Sequence, residues 1–208
     1  MNDNIFEEIR IPLFTYSLTN KELYITELQP AFDLRFFDLV DVNRGPQLNT
    51  QKKWDSLRAI INKAKENEFE LIALLTGKNV SFDFMGGHYL LKNILEASAQ
   101  NAEILLGHLN DFTYAVPISE SRYWIDRFNG SDFFVIYRQL YDKILAVYDC
   151  DDESVFQKLS SLTVNKMVLF PFAVDEVNKD KAVTTASNGK RKLEIYSNIR
   201  DKYILGKT

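Results

Sequence analysis

The stretch Glu68–Phe84, EFELIALLTGKNVSFDF, constrains this chain more than any other. Its segment Phe69–Leu75 is almost wholly apolar. A strand with apolar side chains at successive positions buries both faces, so it belongs in a sheet covered by helices on each side. The run breaks at Thr76-Gly77-Lys78-Asn79, a polar turn. In open α/β sheets, ligands bind beyond the carboxyl ends of the strands. The turn therefore has the setting of an active-site edge, yet it holds no carboxylate.

The rest of the chain alternates around this strand. Ile11–Ser17 reads as a short apolar strand, and Ala31–Val42 alternates polar and apolar like a second. Asn43-Arg44-Gly45-Pro46 has loop chemistry. Thr50–Asn67 reads as a helix, because Trp54, Leu57, Ile60, Ile61 and Ala64 fall on one helical face. A helix is expected from about His88 to Gln100, a strand at Ala102–Leu106, and strands at Arg122–Phe128 and Phe133–Tyr137. Helices follow at Gln139–Val147 and Glu153–Leu162, then Met167–Phe172, a polar loop and a last amphipathic helix over Lys192–Leu205. Alternating strands and helices predict a single open α/β sheet, mainly parallel and Rossmann-like, with helices on both sides.

The strand ends of such a sheet supply the candidate ligand contacts. They are Thr15 and Ser17, Asp41, the turn Thr76, Gly77, Lys78 and Asn79, and Gly107 with His108.

Composition removes several classes of function. The chain has 208 residues, 46% hydrophobic, enough for one substantial core. The single Cys150 excludes an internal disulfide framework and a cysteine zinc site, which fits a cytoplasmic setting. No segment approaches the roughly 18 apolar residues of a membrane span, and MNDNIFEEIRIP lacks a signal-peptide core. Net charge is −4, but residues 178–208 carry eight basic against three acidic side chains, a local +5. The body therefore carries −9, which disfavours nucleic acid. The basic tail suits an anionic membrane surface, a phosphate or an acidic partner. Residues 1–177 read as the domain, and 178–208 as a basic loop and helix packed on it or extending from it.

Most familiar catalytic patterns are missing. Gly86-Gly87 has neither the Lys-Ser/Thr of a P-loop nor dinucleotide spacing. His88 and His108 are the two histidines, which excludes a multi-histidine metal site; His108 follows a strand end, in the expected crevice. No Gly-x-Ser-x-Gly elbow is present. Asp149-Cys150-Asp151-Asp152 has two readings. It is either a carboxylate pair that clamps Mg²⁺ or Mn²⁺, or the cap and first turn of the next helix. The helical spacing of Leu140, Ile144 and Val147 favours the cap.

Between Trp54 and Leu145 the chain resembles a known pattern. The pieces are KKWDSLRAIINKAKENEF, ELIALL, AEILLGHLNDF and SESRYWIDRFNGSDFFVIYRQLYDKIL, followed by NKMVLFPFAVDEVNKDKAVTT. Together they resemble the bacterial sugar-nucleotide-dependent glycosyltransferases of the lipopolysaccharide-biosynthesis type, family 25. That resemblance implies a GT-A-like domain, a nucleotide-sugar donor and a glycan or peptide acceptor, near the inner face of the membrane. Relatives carry acids at the end of the central strand, where a divalent ion neutralises the diphosphate leaving group. Here Thr76, Gly77 and Lys78 stand in that place, so no metal cofactor is expected.

Two outcomes fit this departure: catalysis is lost, or Lys78 replaces the cation. For an active enzyme, Asp111, Glu120, Asp126 and Asp132 are the candidate bases, each near a late strand end. The alternative is a non-catalytic binding or scaffold partner in a cell-surface polysaccharide or peptide-modification pathway.

Overall fold

The computed structural model describes residues 9–15, 36–40, 50–76, 80–81, 87–148, 154–173, 175–176 and 188–203. Ten strands lie among them: β1 (Ile11–Thr15), β2 (Phe37–Val40), β3 (Leu71–Leu75), β4 (Val80–Ser81), β5 (Ile104–Leu106), β6 (Ala115–Pro117), β7 (Arg122–Ile125), β8 (Phe133–Tyr137), β9 (Lys166–Leu169) and β10 (Asp175–Glu176). The helices are α1 (Thr50–Glu66), α2 (Gly87–Ala99), α3 (Arg138–Leu145), α4 (Val155–Leu162) and α5 (Asn188–Tyr203). Eight strands form one sheet in the order β2-β1-β3-β8-β5-β9-β7-β6, and β4 pairs with β10 separately.

The apolar run at β3 sits in the sheet interior, with β1 on one side and β8 on the other. Its alternation feeds two cores. Ile72 and Leu74 face one cluster, with Phe134 and Ile136 of β8, Ile104 and Leu106 of β5, and Val168 of β9. Ala73 and Leu75 face the other, with Phe133, Val135 and Tyr137. The first core is closed by Trp54, Leu57, Ile60 and Ile61 of α1, Leu140 and Ile144 of α3, and Phe156 and Leu159 of α4. The second is closed by Leu90, Leu91, Ile94 and Ala97 of α2. Burial on both faces explains why β3 carries apolar side chains at successive positions.

The sheet is mixed, which corrects the expectation of a mainly parallel, Rossmann-like arrangement. β1 pairs in parallel with β2 and β3, and β5 with β9. The pairings β3–β8, β5–β8, β7–β9 and β6–β7 are antiparallel. Strands β1, β2, β3 and β5 do run in one direction, but β8 runs against them between β3 and β5. The reason lies in the connection. Parallel neighbours need a crossover, usually a helix. Between Leu106 and Phe133 the chain makes no helix; it adds the antiparallel β6–β7 pair at the far edge of the same sheet and then enters β8 from the end at which β5 finished. No helical period runs through that stretch of sequence.

Two local boundaries also differ from expectation. Of the strand expected over Ala31–Val42, Phe37–Val40 form β2 and the buried Phe36 precedes it outside the strand, while residues 31–35 and 41–42 lie outside the described ones. Helix α4 is capped by Ser154, whose hydroxyl accepts from the Gln157 amide while the Gln157 side chain accepts from the Ser154 amide. The cap is thus one Ser-x-x-Gln box, in place of Asp151 and Asp152. The segment Asp149–Asp152 lies outside the described residues.

Candidate functional site

The carboxyl end of β3 meets two other segments. The Thr76 amide donates to the Asp132 carbonyl at 2.8 Å, and its hydroxyl donates to the Ser131 carbonyl at 2.7 Å. The Gly107 amide donates to the Phe133 carbonyl, and the Ala173 amide to the Gly107 carbonyl, each at 2.8 Å. These bonds carry the ladder past the ends of β3, β8 and β5. They bring together Thr76, Gly107, His108 and Asp132, four of the residues that the sequence marks.

His108 is buried, its ring edge-on to Phe172 at 5.2 Å between centroids. Its Nδ1 lies 3.4 Å from the Asp132 carboxylate, which stays 31% exposed. A buried imidazole this close to a carboxylate that still reaches solvent places an acid–base pair of groups at the strand ends. Thr15, half-buried, ends β1 on the same edge of the sheet.

Several marked residues have structural duties that account for them. A Cβ on Gly107 would lie 2.5 Å from the Phe133 ring and 3.2 Å from Ala173, so packing requires glycine there. The Thr76 hydroxyl satisfies a buried carbonyl. Asp126 accepts from the Thr113 and Tyr114 amides at 3.0 and 2.9 Å. Burial opposes its ionisation, but the Tyr114, Thr113 and Arg127 amides outweigh that and hold its pKa below the usual carboxylate value. Asp111 is bridged to Lys192 at 2.6 Å, and this bond above all lowers its pKa. A carboxylate so stabilised is a weak base. Glu120 is exposed. Of the four candidate bases, Asp132 alone stands against a histidine among the described residues. Ser17, Asp41, Gly77, Lys78 and Asn79 lie outside them.

Asp111 and Asp126 line a second feature, an open groove of about 490 Å³ shared with Arg127, Asn129, Gln157 and Ser161. Among the described residues, no group of three or more His, Cys, Asp or Glu is placed to share a metal ion. No helix among them is long and apolar enough to cross a membrane.

The structure adds polar groups that the sequence reading did not mark. Arg122 is buried and binds Asn93 and Glu96 of α2, each at 2.7 Å; Ser121 donates to the same Asn93 oxygen. Lys166, also buried, donates to the Ser160 and Thr163 carbonyls at the end of α4, and burial lowers its pKa. The available signal was a charge inside an apolar strand, Arg122 before YWI and Lys166 before MVL. Neither has a partner at a fixed spacing.

No protein-family model matches the chain. No curated protein matches it. Among solved structures, 21 chains match. One is the crystal structure of A197 from STIV, with a TM-score of 0.48 and 9% identity, over 81% of this chain and 86% of that one. A likeness of that degree carries no functional argument.

Proposed function

We propose that this chain is a glycosyltransferase-like protein that binds a nucleotide sugar at the carboxyl edge of its sheet, for a glycan or peptide acceptor, without a divalent ion. The observation that supports it most is the meeting of Thr76, Gly107, His108 and Asp132 just beyond β3, β5 and the start of β8. That is where open α/β sheets take their ligands. The resemblance of Trp54–Leu145 to family 25 supplies the ligand class. The turn Thr76–Asn79 offers no carboxylate to a metal, and Lys78 there brings a positive charge suited to a diphosphate. In this reading Asp132, beside His108, is the acceptor-side base.

A non-catalytic binding partner is the second reading. It is favoured by the Thr76 hydroxyl, which is committed to the Ser131 carbonyl rather than to a ligand.

Thermal unfolding with UDP- and GDP-sugars, with and without Mn²⁺, tests both. A stabilisation by one nucleotide sugar that is indifferent to Mn²⁺ is expected. Lys78→Ala should weaken that binding by roughly 1–3 kcal/mol, the scale of a lost bond to a charged group. Asp132→Asn should leave binding intact and abolish any transfer. A shift that requires Mn²⁺ would overturn the metal-free site. No shift with any nucleotide would favour the binding partner.

A further inference from the structure

The open groove of about 490 Å³ has three walls. One is Asp111 with Phe112, the second is the run 126–129, and the third is α4 at Gln157, Ser160 and Ser161. All three are fixed to the fold. Lys192 donates to the Asp111 carboxylate and to the Phe112 carbonyl, each at 2.6 Å. Asp126 is committed to the Thr113 and Tyr114 amides. The Phe128 amide donates to the Ser160 hydroxyl at 3.0 Å, which joins the second wall to the third. A preformed concavity of this volume falls within the roughly 300–1,000 Å³ of small-ligand sites.

The lining narrows the kind of ligand. Phe112 and Phe128 are each 2% exposed, so the groove offers no aromatic face on which a nucleobase could stack. Its charges balance, with Asp111 and Asp126 set against Arg127 and the Lys192 ammonium. The Lys192 bond above all holds the Asp111 carboxyl below its usual pKa, and the Arg127 charge adds to that. A phosphate would therefore meet two carboxylates, and a cation two positive side chains. What remains is hydrogen-bonding capacity. Among the described residues, nothing hydrogen-bonds to Asp111 Oδ2, the Arg127 guanidinium, the Asn129 side-chain amide or the Gln157 side-chain nitrogen. These are planar groups that offer acceptors and donors side by side. Adjacent hydroxyls, each able to donate and to accept, are their complement, and a neutral sugar carries them in rows.

We infer that this groove is a binding site for a neutral saccharide, held by Asp111, Arg127, Asn129 and Gln157. Glycan-array binding of the full chain, without nucleotide or metal, tests the site independently of the nucleotide-sugar reading. The wild type should hold neutral oligosaccharides in preference to sialylated or sulfated ones, and high salt should not release it. Calorimetric titration then uses the neutral oligosaccharide held most strongly. The double variant Arg127→Ala, Asn129→Ala should bind it about tenfold or more weakly, the scale of one lost bond to a charged group. Its thermal unfolding should stay unchanged, because both side chains are exposed and neither hydrogen-bonds within the described residues. Ser161→Tyr, at an exposed position of α4, should fill the groove and weaken binding by a similar factor. A wild type that holds no neutral glycan would overturn the site. So would a preference for acidic glycans, or binding that survives both variants.

Discussion

Asp126 shows how a residue that reads as catalytic can be spent on the fold. Its carboxylate holds the Thr113 and Tyr114 amides at the entry to β6. Asp126→Asn keeps the shape and removes the charge, and should cost about 1–2 kcal/mol in urea unfolding near neutral pH. The pH dependence follows from the lowered pKa of Asp126. With the folded pKa below the unfolded one, the carboxylate's contribution is complete above the unfolded pKa. It is lost as pH falls through the folded pKa, a window beneath roughly pH 4. Stability measured against pH should therefore fall less steeply in that window for Asp126→Asn. Gly107 is the second such residue. Gly107→Ala places a methyl against the buried Phe133 ring and Ala173. A loss of about 1–3 kcal/mol is expected, read as a lower urea midpoint with unchanged slope.

Among the elements, the helices were the most legible. The apolar stripe Trp54, Leu57, Ile60, Ile61 and Ala64 forms the buried face of α1, as its spacing requires. Ends were harder, because capping depends on which of several polar residues reaches the free amides. Asp151, Asp152 and Ser154 all precede the apolar run, and Ser154 is the cap. Ser154→Ala should destabilise the protein by about 1 kcal/mol in chemical denaturation, since it opens both bonds of the capping box. The docking of α5 had no local signal. Gly189 lets the helix start lie close to the strand-end loop, where a Cβ would stand 2.5 Å from the Leu109 carbonyl. Glycine in a polar stretch reads equally well as a mobile loop, and that is how the sequence alone presents it.

At the scale of the whole molecule, β8 joins the two parallel groups of the sheet. Phe134 is wholly buried, opposite Leu74 on one side and Leu106 on the other, with its ring edge-on to Phe156 at 5.8 Å. Phe134→Ala should cost about 3–5 kcal/mol, through lost burial and the cavity left behind. Because β8 serves both groups, circular dichroism and fluorescence should report one shared transition in wild type and variant. Strand identity and burial were written in the sequence, since an apolar run such as Phe69–Leu75 depends on its own residues for both. So were the α/β class and the absence of carboxylates from Thr76–Asn79. The direction and neighbours of β8 were decided only in the tertiary structure. They depend on how the chain returns between Leu106 and Phe133 and on side chains far apart in sequence. The same holds for Asp126 and Asp132, alike in type and in place near late strand ends. One meets the distant backbone amides of Thr113 and Tyr114 and the other a buried histidine, because a carboxylate's role is set by which distant groups the fold brings to it.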